Sequence, residues 1–154
     1  MTCSHNHRIY RETDHTADLR VEIYGRTEEE LMLHSILTLY SLLGLTEEMD
    51  GSVSQPAGGP DLLISGVDKE DVLVRLLGEL LATAMTEKRR WLPRKGSCRF
   101  LWEGEDLLLR VGGCWRNLLP EETEWKTEIK AVTYHDARIR KHPDGYAATV
   151  VMDL

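Results

Sequence analysis

The most constraining feature of the sequence is a strand pattern that leads directly into a capped helix between residues 19 and 44. Apolar and polar residues alternate from Leu19 to Tyr24, which is the period of a half-buried strand. Thr27 and Glu30 then have the spacing of a capping box, and apolar residues recur at helical spacing until Gly44 provides a stop. Because the helix and the strand must each bury an apolar side, we expect them to pack face to face.

The rest of the sequence adds a second helix and several strands. The second helix begins after Asp68 and carries a broad apolar stripe over residues 72–84. Further strand patterns cover residues 8–13, 62–65, 98–102, 107–111, 128–135 and 146–154, with a turn at 142–145 and loops at 50–60 and 112–125. The order predicts an α+β fold: a single two-layer domain with a mixed or antiparallel β-sheet and two α-helices packed on it.

The length and composition favour one domain in a reducing compartment. With 154 residues the chain can bury a single core, and we assign residues 1–7 to a disordered tail and residues 8–154 to the domain. Cys3, Cys98 and Cys114 are widely spaced and odd in number, which is not the pattern of a disulfide framework. No signal peptide is recognisable, and no apolar run reaches the ~18 residues of a membrane span. We therefore expect a cytoplasmic protein.

The chain is acidic overall but contains one basic stretch. A net charge of −7 disfavours nonspecific binding of nucleic acid by the whole surface, because phosphate groups would be repelled. Residues 88–95 nevertheless contain five Lys or Arg residues around Trp91. These cations could offset a helix dipole before Pro93 breaks the chain, or they could contact phosphate or an acidic partner with Trp91 as a stacking surface.

Acidic groups stand at both ends of the predicted fold. Asp18 directly precedes the first well-defined strand, and Asp153 and the carboxyl group of Leu154 end the last one. If these two strands are neighbours in one sheet, the three carboxylates repel one another unless a proton or a cation lies between them. Oxygen ligands favour Ca²⁺, Mg²⁺ or Mn²⁺ over zinc. The alternative is that Asp14 and Asp18 only cap a turn and that Asp153 is a solvated chain end.

Three segments of the sequence resemble the archease family. They are residues 14–18 (Asp-His-Thr-Ala-Asp), residues 128–135 (Glu-Ile-Lys-Ala-Val-Thr-Tyr-His) and residues 151–154 (Val-Met-Asp-Leu), and they occur in the expected order. The resemblance runs from about Arg8 to Leu154. It implies an accessory protein of the RtcB-type tRNA-splicing RNA ligase, which promotes guanylylation of the ligase and repeated turnover without being a catalyst itself.

The resemblance also implies a set of site residues. The divalent-metal ligands of the family correspond to Asp18, Asp153 and Leu154, and the supporting residues would be Asp14, His15, Lys130 and His135. The ligase would be the partner, and tRNA would be contacted indirectly or weakly through residues 88–95.

One position departs from the family pattern. Many relatives have Arg-His or Lys-His where this sequence has Glu122 and Thr123, so a histidine that could help to bind the partner or the metal is missing.

Two further functions stay open from the residues alone. A free-standing metal-dependent phosphoester hydrolase would need a general base, for which His15 and His135 are the candidates. An interaction or chaperone module in RNA modification would use the acidic residues only structurally. No GxSxG, Walker or GxGxxG motif is present to favour another enzyme class.

Overall fold

The computed structural model describes residues 9–14, 18–50 and 60–154. The predicted tail at residues 1–7 and most of the predicted loop at 50–60 lie outside these residues. Within them the elements are β1 (Tyr10–Asp14), β2 (Asp18–Gly25), α1 (Glu28–Leu43), β3 (Leu62–Gly66), α2 (Lys69–Glu87), β4 (Arg89–Pro93), β5 (Arg99–Glu103), β6 (Asp106–Val111), β7 (Gly113–Asn117), a 3-10 turn (Pro120–Thr123), β8 (Ala131–His142) and β9 (Gly145–Asp153).

The strands form three antiparallel sheets against which the two helices pack. A four-stranded sheet has the order β1-β2-β9-β8, a three-stranded sheet has the order β3-β6-β5, and β4 pairs with β7 alone. The chain is therefore an α+β protein, as its sequence predicts. The last strand, β9, lies inside the four-stranded sheet between β2 and β8. It therefore pairs with an early strand on one side and with the strand that precedes it on the other.

Both helices begin after the caps that the sequence indicates, and α1 also ends at its predicted stop. The backbone N–H of Glu30 donates to the Thr27 hydroxyl at 3.0 Å, and the N–H of Asp71 donates to the Asp68 carboxylate at 2.8 Å. Gly44 ends α1 with φ of +97°, a left-handed conformation that glycine adopts without a Cβ penalty.

The core lies between the four-stranded sheet and the helices. Leu19, Val21 and Ile23 of β2 are buried, and the intervening residues of the strand face away from the helices. The apolar positions of the two helices cover them from one side. Each fully buried Leu or Ile side chain contributes about 1.5–3 kcal/mol relative to an exposed one, so this layer dominates the stability of the fold.

The structure corrects the prediction for residues 88–95 and 112–125. The basic stretch contains β4, and the predicted loop contains β7 and the 3-10 turn. Gly113 makes the pairing of β4 with β7 feasible, since a Cβ at this position would lie 2.0 Å from the carbonyl oxygen of Leu92. Glycines often mark loops in a single sequence, but Gly113 here permits a close strand pair.

No helix in the described part of the chain is both long and apolar enough to cross a membrane.

Candidate metal centre

The two acidic residues at the ends of the fold meet in the central sheet. Asp18 is the first residue of β2, and its register partner is Asp153, the last residue of β9. Directly opposite residues of antiparallel strands share one face and have Cβ atoms about 4.5–5.5 Å apart. Both aspartates are exposed. Two like charges at this spacing destabilise the strand pair unless a cation or a proton offsets them.

The hydrophobic core determines this register. The pairs Leu19–Met152, Val21–Val150 and Ile23–Ala148 all lie on the face that packs against the helices. A shift by one residue would turn every one of these side chains to the opposite face of the sheet. The burial of six apolar residues therefore holds Asp18 opposite Asp153 despite the repulsion between their carboxylates.

The third motif of the resemblance borders the same end of the sheet. Ala131 of β8 is the register partner of Asp153 on its other side. The backbone N–H of Lys130 donates to the Asp153 carbonyl at 2.8 Å, and the residue itself is exposed. The main chain of Lys130 therefore holds the end of β9 in place.

The donor set is chemically suited to a hard divalent cation. Two facing carboxylates offer oxygen ligands, which is the ligand type of Ca²⁺, Mg²⁺ and Mn²⁺. In the described residues no three His, Cys, Asp or Glu side chains form a group that could hold a metal ion. Within the described residues, further donors would have to be of another kind, and the main chain of Leu154 follows Asp153 directly.

The supporting residues predicted at the loop between β1 and β2 are described only in part. The main chain of Asp14 is paired with Arg20, so it lies near the same end of the sheet, but the structure describes only its main chain. His15 lies outside the described residues. The supporting roles predicted for these two residues remain predictions.

His135 lies in an irregular segment of β8 instead of opposite the acidic pair. The register between β8 and β9 shifts between Thr133 and Arg138, and His135 falls inside this bulge with 72% of its side chain exposed. Its Nε2 atom is 3.3 Å from the carboxylate of Asp136, which also accepts a hydrogen bond from Arg20 at 2.9 Å. The hydrogen bond from Arg20 lowers the pKa of Asp136 below its usual value.

The bulge is anchored to helix α2. The Tyr134 hydroxyl donates to Asp71 at 2.7 Å, and the backbone N–H of Ile139 donates to Glu70 at 3.2 Å. Asp136 adopts a left-handed conformation with φ of +54°, which is unfavourable for a residue other than glycine. Sequence reasoning missed these anchors. The acidic first turn of α2 pointed to helix capping, and nothing local linked it to a strand more than 60 residues away.

Glu122, where the resemblance implies a departure from the family pattern, belongs to an ion-pair network. Arg116 donates to both oxygens of Glu122 at 2.9–3.0 Å and to Glu48 at 2.9 Å. The backbone N–H of Leu119 also donates to Glu122, at 2.7 Å. The hydrogen bonds from Arg116 lower the pKa of Glu122 to about 2, and the same contacts raise the pKa of Arg116. Glu122 therefore joins the 3-10 turn to β7.

Much of the basic stretch faces inward, so Trp91 cannot be the stacking surface proposed from the sequence. Trp91 is 2% exposed and makes an edge-to-face contact with Trp115 at 5.0 Å. Arg90 is fully buried, with its guanidinium 4.6 Å from the Tyr40 ring centre. Burial raises the pKa of Tyr40 to about 12. The stacking interpretation failed because a run of charges does not reveal which side chains a strand turns inward.

Comparison with known proteins identifies close sequence relatives. Residues 10–154 match the Archease protein family (MTH1598/TM1083). Protein archease of Methanosarcina mazei is 30% identical over 146 residues, covering 94% of this chain and 95% of the relative. Protein archease of Pyrococcus furiosus is 31% identical over 150 residues, covering 96% of this chain and 99% of the relative.

Solved structures show the same fold. The solution structure of Methanobacterium thermoautotrophicum protein 1598 superposes with a TM-score of 0.67 at 25% identity, covering 95% of this chain and 99% of the other. The crystal structure of the Thermotoga maritima archease TM1083 has a TM-score of 0.51 at 22% identity and covers 94% and 96% of the two chains.

Proposed function

Because this chain belongs to the Archease protein family, we propose that it is a cytoplasmic accessory protein that activates an RtcB-type RNA ligase in tRNA splicing or RNA repair. In this proposal the protein promotes guanylylation of the ligase and allows it to turn over repeatedly, while the ligase performs the chemistry. The partner and the activity follow from the resemblance of the three motifs, and they are tested by the experiment below.

The observation that carries the proposal is the pairing of Asp18 with Asp153. The core holds these two aspartates directly opposite each other, where like charges are unfavourable, although a neutral pair would serve the strand ladder equally well. Locally unfavourable arrangements are expected mainly at functional sites. We propose that Asp18, Asp153 and the main-chain carboxyl group of Leu154 hold a divalent cation, with Ca²⁺, Mg²⁺ and Mn²⁺ as the candidates.

The residues around the acidic pair would position the site against the ligase. Lys130 fixes the end of β9 through its hydrogen bond to Asp153, and Arg20 ties β2 to the β8 bulge through Asp136. These contacts make the acidic edge rigid before the partner binds, which reduces the entropy cost of docking. A bound cation would supply Lewis-acid stabilisation of phosphate oxygens.

The charge of the protein suits a basic partner. The net charge of −7 favours association with the surface of an RNA ligase, which must attract phosphate. A weak tRNA contact through residues 88–95 would depend mainly on Lys88 and Lys95, which are exposed, because Arg90 and Trp91 are buried.

The experiment measures stimulation of an RtcB-type ligase under multiple-turnover conditions. The substrate RNA carries 3′-phosphate and 5′-hydroxyl ends, GTP and Mn²⁺ are present, and both guanylylated ligase and joined RNA are quantified. We expect the wild-type chain to raise both quantities. The variant Asp18→Asn should lose the stimulation with an unchanged circular dichroism spectrum. Asp144→Asn is the matched control, since Asp144 is an exposed aspartate in the β8–β9 turn at the other end of the sheet.

The outcomes distinguish three functions: a ligase activator, a hydrolase and an interaction module. Full stimulation by Asp18→Asn would contradict the role of the acidic pair. No stimulation by the wild-type chain would contradict activation of the ligase. Cleavage of RNA or phosphoesters without ligase would favour the hydrolase, for which His135 is the candidate base within the described residues. No divalent binding by calorimetry would favour an interaction module with structural acids.

A further inference from the structure

Strand β5 forms an open edge of the three-stranded sheet. It pairs with β6 on one side, and in the described part of the chain no strand pairs with its other side. The strand reads Arg-Phe-Leu-Trp-Glu from Arg99 to Glu103. Two of its apolar side chains are exposed, Leu101 to 43% and Trp102 to 63%. Edge strands with exposed apolar residues are templates for pairing with another strand.

At each end of β5 a charged residue lies opposite a residue of β6 with the same charge. The pair is positive at one end of the strand and negative at the other. Arg99 lies directly opposite Arg110 of β6, and Glu103 lies directly opposite Asp106. Each pair is unfavourable within the monomer. Arg110 has a distant partner in Asp61 at 3.8 Å, whereas no ion pair of Arg99 or Glu103 occurs among the described residues.

The hairpin geometry shows which backbone groups of β5 point outward. Glu103 and Asp106 close a two-residue turn, and Gly104 at its first position has φ of +61°, as in a type II′ turn. The closing residues of such a turn exchange hydrogen bonds. Because the direction of the backbone groups alternates, Leu101 and Arg99 also point toward β6. The N–H and C=O groups of Phe100 and Trp102 therefore point toward the open edge.

A second copy of β5 can pair with the outward backbone groups and can also supply opposite charges to the like-charge pairs. In an antiparallel pairing with two-fold symmetry about Leu101, Arg99 lies opposite Glu103 of the second copy, and Glu103 lies opposite Arg99 of the second copy. Phe100 then lies opposite Trp102, so the outward backbone groups meet in about four hydrogen bonds. Other registers can also match the hydrogen-bonding direction, but only the one centred on Leu101 pairs both charges.

We propose that β5 is the surface through which two copies of this chain associate. The dimer joins two three-stranded sheets into one continuous antiparallel sheet of six strands. Each copy supplies the opposite charge to a like-charge pair of the other, and each Trp102 gains an aromatic neighbour in Phe100. This dimer involves neither the acidic pair nor the ligase, so it is independent of the proposed function.

The dimer should be weak and sensitive to salt. Five residues of edge strand bury an area at the low end of specific interfaces, below about 1,200 Å². The net charge of −7 on each copy opposes association. We therefore expect a concentration-dependent dimer with a dissociation constant on the order of 10–100 μM, typical of transient contacts. Its dissociation constant should rise with ionic strength, because the ion pairs are exposed.

Sedimentation equilibrium of charge-reversed variants tests this register. Arg99→Glu and Glu103→Arg should each be monomeric at concentrations where the wild-type chain is partly dimeric. Each substitution also removes a like-charge pair within the monomer, so misfolding is not expected, and thermal unfolding checks this. An equimolar mixture of the two variants should form a heterodimer, since all four end charges are then complementary. The variant Lys95→Glu, which reverses an exposed charge away from β5, should dimerise like the wild type.

The same measurements can overturn the proposal. A wild-type chain that stays monomeric up to about 1 mM, well above this range, would refute the dimer. Dimerisation of Arg99→Glu at the wild-type dissociation constant would show that association occurs elsewhere. A mixture of the two variants that remains monomeric would refute the pairing about Leu101.

Discussion

Asp18 lies directly opposite Asp153 in the central sheet, and both residues are exposed. The hydrophobic pairs next to them hold this register, so the main chains of the two residues cannot separate without unfolding the edge of the core. This pair links the beginning and the end of the chain, and it allows the metal site to be tested by stability alone, without the ligase.

The first prediction concerns Asp18→Asn in the presence and absence of metal. With EDTA the variant should be more stable than the wild type by about 0.5 kcal/mol, because a like-charge cross-strand pair is removed. With a divalent cation at about 100 times its dissociation constant, the wild type should gain about 2.7 kcal/mol and the variant should gain little. Urea denaturation with Ca²⁺, Mg²⁺ and Mn²⁺ in turn measures both effects and identifies the preferred ion.

The reversal of the stability order distinguishes a metal site from a surface pair. Asp144→Asn should follow the wild type in both conditions. A wild-type chain that none of the three ions stabilises would remove the metal from the proposal.

The second prediction concerns Glu122, whose pKa Arg116 lowers to about 2. A depressed carboxyl pKa contributes stability that is complete above the unfolded value of about 4.5 and is lost as the pH falls toward 2. Glu122→Gln should therefore cost about 2 kcal/mol at pH 7, the size of a hydrogen bond to a charged group. The difference from the wild type should shrink between about pH 4.5 and pH 2.

Denaturant unfolding at several pH values measures this difference. The control is Glu121→Gln, an exposed neighbour in the same 3-10 turn. A cost of Glu122→Gln that is the same at pH 7 and pH 2.5 would show that the charge of Glu122 is not what stabilises the turn.

The third prediction concerns Tyr40, which links α1 to the β4–β7 pair. The backbone N–H of Trp91 donates to the Tyr40 hydroxyl at 2.7 Å, and both residues are buried. Tyr40→Phe would leave that N–H without its partner in the core, at a cost of about 1–3 kcal/mol. Tyr10→Phe should cost less, because the Tyr10 hydroxyl meets Ser41 at 3.2 Å in a half-buried position where water can replace it. Equal costs for the two substitutions, measured by thermal unfolding, would contradict this account.

Local patterns predicted the elements whose causes are local. The cap at Thr27, the stop at Gly44 and the hairpin between β5 and β6 all depend on residues within a few positions of one another. Capping and turn geometry act over this range, so the sequence alone indicates them. Strand patterns likewise showed that residues 19–24 have one buried face.

Patterns of charge were a poorer guide. One of the two interpretations of residues 88–95 was a contact surface with Trp91 as a stacking face, yet Arg90 and Trp91 are buried in the β4–β7 pair. Arg90 stacks on Tyr40 and donates to the Thr46 carbonyl at 2.8 Å, and neither contact can be read from neighbouring residues. The position of His135 in a bulge depends in the same way on Asp136 and Arg20.

The sequence by itself determined the two helices, the alternation of the strands and the acidic residues at both ends of the domain, because these features follow from periodicity and short-range hydrogen bonding. Only the tertiary structure decided that β9 pairs with β2, that Asp18 therefore meets Asp153, and that Arg90 and Trp91 of β4 are buried. Strand partners are selected by the burial of apolar residues far apart in the chain, and that selection is a property of the whole core.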